Sequence, residues 1–290
     1  MSAPQARARW RRWLLLVLVL ALAFLALALA CVSFGPPSTA RAFAGRSPPL
    51  ERSFPLADGR VLSGAERGNP EGPLVLLVHG SPGAWRDWSF VLADERLAQA
   101  ARLVAVDRLG WGASAGGGLA PALGAQAAAL QEVLAAYPAN LPALVVGHSL
   151  GGPVAARLAL DAPERVRALV LVAASIDPEL EEPTWYQTLG RTWLVRPLVP
   201  DVLARADDEI RPLRGELEAL LPRWSALHLP VFVLQGEEDA LVPAANADFA
   251  ARAITHAPLS IRRVPDVGHL IPWERPELIV DLLLHVLAEH

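Results

Sequence analysis

The sequence contains no lysine: all 26 of its cationic residues are arginine. Without a lysine amine, Schiff-base chemistry and the lysine-bearing phosphate loop are both excluded. Cysteine is nearly absent as well. Cys31 stands alone, so no intrachain disulfide can form and the chain is not a disulfide-stapled secreted scaffold. The seven histidines include no His or Cys pair at metal-ligand spacing, and Asp207-Asp208-Glu209 reads as a solvated helical charge run, so no metal and no cofactor is expected. A basic surface is missing too. Net charge is −4, and Arg7, Arg9, Arg11 and Arg12 precede every acidic residue. The remaining chain carries 22 arginines against 30 carboxylates, a balance of −8 that argues against nucleic acid as a partner.

What is abundant is apolar residues, 53% of 290, enough for one large α/β domain and an appendage. Trp13 to Phe34 is a run of 22 uncharged residues. As a helix it would be about 33 Å long, enough to cross a hydrocarbon core of about 30 Å. With its basic flank, residues 1–34 are expected to be a single-pass transmembrane signal-anchor, its N-terminus cytoplasmic and the rest of the chain on the other side of the membrane. Ala28-Leu29-Ala30, Ala42-Phe43-Ala44 and Cys31 keep cleavage or lipidation open, which would leave a secreted or periplasmic body. Residues 35–50, with Pro36, Pro37, Pro48 and Pro49, form a linker, and residues 51–290 the body.

Within the body, apolar runs of strand length alternate with helical patterns. A hairpin is expected at 53–62, turning at Ala57-Asp58-Gly59. Buried strands follow at 73–78, 102–107, 143–146, 166–174, 230–235 and 259–264, with helices at about 88–100, 123–136, 153–160, 244–253 and 276–288. The alternation predicts a mostly parallel, doubly wound sheet. Between Asp177 and about His228 it breaks into charged helical patterns rich in Trp185, Tyr186, Trp193 and Trp224. That segment is expected to be a helical lid, its aromatics either sealing it to the sheet or lining a pocket.

One strand ends in Gly147-His148-Ser149-Leu150-Gly151 and runs straight into a helix. A sharp strand-to-helix turn exposes its central side chain, and crowding favours glycine two residues to either side. Ser149 is thereby presented as a nucleophile beside the N–H groups of a new helix. Serine attack needs a base and a group to orient that base. Glu237-Glu238-Asp239 follows a later strand, and Asp266-Val267-Gly268-His269 the last one, so nucleophile, acid and histidine come in that chain order.

With His79-Gly80-Ser81-Pro82, Asp107 to Gly112 with Ser114, the elbow at Ser149, Asp239 before Val242-Pro243, and Gly268-His269, the chain resembles the α/β-hydrolase family over 51–290. The resemblance implies that Ser149 is the nucleophile, His269 the general base and acid, and Asp239 the residue that fixes the histidine tautomer. Glu237, Glu238 and Asp177 are alternative acids. Pro82 has no N–H, so the oxyanion donors are expected to be the backbones of Ser81 and Leu150. His148 is expected to be packed or hydrogen-bonded and His79 to brace the oxyanion loop. The expected activity is hydrolysis of a carboxylic ester on a small-molecule acyl substrate through an acyl-enzyme. Aminopeptidase, carbon–carbon bond hydrolase, haloperoxidase and acyltransferase chemistries share the scaffold, and a non-catalytic receptor is an alternative of another kind.

Overall fold

The computed structural model describes residues 38–289. The expected membrane anchor and residues 35–37 of the linker lie outside them, and among the described residues no helix is long and apolar enough to cross a membrane.

Eight strands form one sheet in the order β1-β2-β4-β3-β5-β6-β7-β8. They are β1 (Leu50–Pro55), β2 (Val61–Gly68), β3 (Leu74–Val78), β4 (Arg102–Val106), β5 (Ala143–His148), β6 (Val166–Val172), β7 (Val231–Gly236) and β8 (Leu259–Val264). β1 and β2 are antiparallel, as are β2 and β4, and every other pairing is parallel.

β3 is apolar and buried at every position, and β5, β6 and β7 are mostly so, because helices cover both faces of the sheet. Leu74, Leu76 and Val78 of β3 belong to one hydrophobic layer, and Val75 and Leu77 to the other. The first layer is completed by α1 (Leu123–Ala135) and α2 (Gly151–Asp161), the second by α6 (Pro276–Glu289) and the helices Ser89–Ala93 and Glu95–Ala100. α3 (Asp201–Ile210), α4 (Leu213–Leu220) and α5 (Asn246–Ala253) are the remaining longer helices.

Two local expectations change. The hairpin's second strand continues to Gly68 and pairs with β4, from Gly64 opposite Val106 to Gly68 opposite Arg102. Ser63 to Gly68 has no apolar alternation to announce a strand. Gly64 is required by the pairing itself, since a Cβ there would lie 2.5 Å from the Ala105 carbonyl oxygen. The expected helix at 88–100 is two helices, because Asp94 leaves helical geometry and caps the second one, accepting from the N–H groups of Arg96 and Leu97.

The segment between β6 and β7 is helical, with no strand among its described residues. Leu213, Leu217, Leu220 and Trp224 recur at helical spacing and are buried in the first hydrophobic layer. Trp224 therefore does seal the segment to the body. Trp185 and Trp193 are 77% and 82% exposed and are not among the residues that line the cavity containing Ser149. Their neighbours Leu189, Leu194 and Leu198 are exposed as well.

Candidate active site

Ser149 sits at the end of β5 with φ at +54°, a left-handed conformation rarely adopted by a residue with a side chain. Tight backbone crossings maintain it. A Cβ on Gly147 would lie 2.3 Å from the Gly151 carbonyl oxygen, and one on Gly151 would lie 2.4 Å from that of Val78. The strained turn is tied at both ends: the Ser149 N–H donates to the Val172 carbonyl at 3.0 Å, and its own carbonyl accepts from Gly152 at 2.9 Å and Ser175 at 3.3 Å.

His269 and Ser149 line the same cavity of about 230 Å³. Nδ1 of His269 lies 2.8 Å from Oδ2 of Asp239, whose side chain is wholly buried. Asp239 is well provided with other donors. Its Oδ1 accepts from the N–H groups of Leu241 and Val242 at 3.0 and 2.8 Å, and Oδ2 also from Nε2 of Gln235 at 3.3 Å. With both carboxylate oxygens placed as acceptors, Nδ1 of His269 is the donor in its contact with Asp239, and Nε2 is left as the acceptor nitrogen of the ring. Glu237 and Glu238 are exposed. Asp177 is buried but turned elsewhere, capping Glu179 and facing Arg252 at 3.4 Å.

Ser81 and Leu150, from which backbone donors are expected, line the same cavity. Among the described residues the buried Ser81 hydroxyl has no hydrogen-bond partner. The rest of the wall is mixed: Leu180, Pro183, Leu213 and Val242 share it with Ser175, Glu181, Arg191 and Arg214. Glu181 accepts a hydrogen bond from the Ser175 hydroxyl, and burial raises its pKa.

The two other histidines near the site have fixed, neutral roles. Burial, together with the His269 ring whose centroid is 4.8 Å away, pushes the pKa of His148 down to about 3. Its Nε2 donates to the His269 carbonyl oxygen at 3.0 Å, holding the backbone of that residue. His79 is wholly buried, and desolvation and Arg108 lower its pKa. Its Nε2 accepts from the Arg108 N–H at 2.9 Å while Nδ1 donates to the Gly80 carbonyl at 2.7 Å, so it does brace the loop that contains Ser81.

Asp107 is structural. Its carboxylate accepts from the N–H groups of Trp85 and Ala113, and a Cβ on Gly112 would lie 2.2 Å from it.

Sequence patterning missed three residues here. Gln235 is the last polar side chain of an otherwise apolar strand, a faint signal for a bond to the following loop. Arg108 gives no signal at all. Glu209 is a correction, because it is not part of a solvated run: Asp207 and Asp208 do pair with surface arginines, but Glu209 is 1% exposed and faces Arg108 from the inner side of α3. Three adjacent acids on a helix point in different directions, and only tertiary packing shows which one turns inward.

Among the described residues no group of three or more His, Cys, Asp or Glu side chains is placed to hold a metal ion.

The alpha/beta hydrolase family matches this chain over residues 75–282. The chain is 31% identical over 262 residues to a 2-hydroxymuconate semialdehyde hydrolase of Pseudomonas sp. strain CF600, covering 74% of this chain and 87% of that one. It is 30% identical over 251 residues to the pimeloyl-[acyl-carrier protein] methyl ester esterase of Nitrosomonas europaea, covering 72% of this chain and 94% of the relative. It also matches the acetyltransferase components of the acetoin cleaving systems of Pseudomonas putida and Cupriavidus necator, but spans only 68% and 60% of their lengths. In fold it is similar to the crystal structure of a membrane phospholipase A described as a bacterial virulence factor, with TM-score 0.63, 22% identity and coverage of 97% and 98% of the two chains. The family match over most of the body, on a parallel sheet that carries a serine on a strained elbow and a histidine backed by an aspartate, makes this chain a member of the alpha/beta hydrolase family.

Proposed function

We propose that the protein is a serine hydrolase that cleaves a carboxylic ester through an acyl-enzyme, with Ser149 as nucleophile, His269 as base and acid, and Asp239 as its orienting partner. The observation that carries this is the 2.8 Å contact from Nδ1 of His269 to Asp239, which leaves Nε2 of a histidine basic in the cavity that Ser149 lines. In this reading His269 takes the Ser149 proton as the hydroxyl attacks the ester carbonyl. The oxyanion is met by the backbone N–H groups of Ser81 and Leu150, rigid donors that need no reorganisation. His269 then protonates the departing alkoxide, and a water activated by the same base releases the acid and restores Ser149.

An ester is favoured over other carbonyl compounds by the likeness to a methyl ester esterase over most of both chains. Carbon–carbon bond hydrolysis is kept as a second reading by the likeness, at similar identity, to a semialdehyde hydrolase, and in it the same catalytic groups would act on an aldehyde-bearing substrate in place of an ester. The cavity is compact, and the helical segment that supplies much of its wall would act as the lid over the reacting bond. We further propose that Trp13–Phe34 holds the body at a membrane on its non-cytoplasmic side. Protection of the body from protease in intact cells, lost once the outer barrier is opened, would support that placement, whereas protection that persists until the inner membrane is lysed would reject it.

The decisive experiment is intact-mass labelling of the full chain with a fluorophosphonate, alongside turnover of p-nitrophenyl esters of increasing acyl length. One adduct per chain with ester turnover, both lost in Ser149→Ala, is expected. Turnover surviving Ser149→Ala would reject the serine reading, and labelling without ester turnover would favour the second one.

A further inference from the structure

Arg108 and Glu209 form an ion pair with side-chain exposures of 0% and 1%, and no step described above uses it. Nη1 of Arg108 donates to Oε1 of Glu209 at 2.6 Å, and Nη2 to Oε2 at 3.1 Å. Burying such a pair carries a desolvation cost that apolar packing would avoid, so the pair gains little stability in its own right. Its other contacts point toward the catalytic loop. Nε of Arg108 donates to the His79 carbonyl at 2.9 Å and Nη2 to the Gly80 carbonyl at 2.7 Å. Nδ1 of His79 meets the same Gly80 oxygen, also at 2.7 Å.

The Gly80–Ser81 peptide is planar and trans, so its N–H points opposite to its carbonyl. Two donors fixed on the Gly80 oxygen therefore fix the direction of the Ser81 N–H. That peptide runs beside the nucleophile, since a Cβ on Gly80 would lie 2.9 Å from the Ser149 Cβ. A cation on the carbonyl also polarises the peptide and strengthens its N–H as a donor.

We propose that Arg108 and Glu209 are positioning residues for the oxyanion hole: Glu209, on α3 of the helical insertion, holds the Arg108 guanidinium, which aims the Ser81 N–H at the developing oxyanion. Seating of the insertion and competence of the oxyanion hole are then one event. α3 has further holds on the same side of the site, because Trp111 Nε1 donates to Glu209 at 2.9 Å and Arg205 donates to the Gly110 carbonyl at 2.5 Å. The proposal rests on the serine-hydrolase reading. The two can fail separately, because Ser149→Ala tests that reading and none of the variants below alters Ser149.

The test compares wild type with Glu209→Gln, the double variant Arg108→Met/Glu209→Met and Arg108→Lys. The double variant removes both buried charges and retains apolar bulk. Arg108→Lys keeps a cation for Glu209 but lacks the fork that reaches the loop carbonyls at the same time. For each variant, kcat and KM on a p-nitrophenyl ester, the Ki of a trifluoromethyl ketone that forms a tetrahedral adduct, and the melting temperature are measured. A loss of one oxyanion donor costs about 100-fold or more in kcat, so a misaimed one is expected to cost about tenfold or more. KM should stay within about threefold, and the ketone Ki should weaken in parallel with kcat/KM. A merely structural pair would lower the melting temperature without linking ketone affinity to kcat/KM. Should the double variant fail to fold, Arg108→Lys decides. A folded variant lacking the fork, with wild-type kcat and ketone affinity, overturns the proposal.

Discussion

At Asp239 four donors meet two oxygens, and their distribution determines what an amide would do there. Leu241 and Val242 present backbone N–H groups to Oδ1, so that atom must remain an acceptor. In Asp239→Asn the amide NH₂ is therefore turned toward His269, where it can only donate. The imidazole is pushed into the opposite tautomer, with its proton facing Ser149. We expect kcat to fall by about 10⁴ while the fold is retained. Circular dichroism and steady-state kinetics check this, and a loss under tenfold would remove Asp239 from the mechanism. The acid, serine and histidine were all legible as residues following strands. The choice of Asp239 over Glu237 was not legible from the residues alone, because three neighbouring acids in one loop differ only in which way they face. Gln235 and His148 are partners through space, joined to the site by contacts with no fixed sequence spacing.

Among the elements, the elbow leaves least freedom. A methyl group on Gly151 would lie 2.4 Å from the Val78 carbonyl oxygen and 2.5 Å from that of His79, both backbone atoms of the β3 end that cannot step aside. Gly151→Ala is expected to cost several kcal/mol or to prevent folding, seen as a lowered urea midpoint or insoluble protein, even though alanine favours a helix by about 1 kcal/mol over glycine. A wild-type midpoint would mean that α2 can move away from β3. The insertion shows the opposite balance. Its helical character was legible from charge and periodicity, but the inward faces were not. Trp224 is enclosed because it continues the stripe of Leu213, Leu217 and Leu220, whereas Trp185 and Trp193 are of the same residue type and stand outside. Truncating the enclosed one, Trp224→Ala, should cost about 3–5 kcal/mol by urea unfolding. A cost below about 1 kcal/mol would show that the insertion is not sealed there.

For the molecule as a whole, buried ionisable groups on one face of the sheet impose opposing pH dependences. His148 is held near a pKa of about 3 in the folded state, so between there and the ordinary imidazole range the unfolded chain binds the additional proton. Its contribution is complete above pH 6.5 and is lost as pH falls toward 3, and His79 acts in the same direction. Asp87 has the reverse sign. Burial, with Asp107 nearby, raises it to about 7, so between about pH 4 and 7 the folded chain keeps a proton that the unfolded chain has released, and stability is lost as pH rises. A one-unit separation between folded and unfolded values is worth about 1.4 kcal/mol, so His148 and Asp87 each shift stability by a few kcal/mol. Urea midpoints from pH 4 to 8 should show Asp87→Asn gaining on wild type toward pH 7 and His148→Gln gaining toward pH 4, and parallel curves would refute the assignment. The sequence by itself determined the order of strands and helices, the parallel character of the sheet and the serine elbow, because apolar periodicity and glycine spacing are local constraints on backbone and burial. The resemblance named Asp239 as the partner of His269, but tertiary structure alone decided which tryptophan is enclosed and that Glu209 reaches Arg108 across 101 positions of chain, because side-chain direction and long-range pairing are set by packing of the finished sheet against its helices.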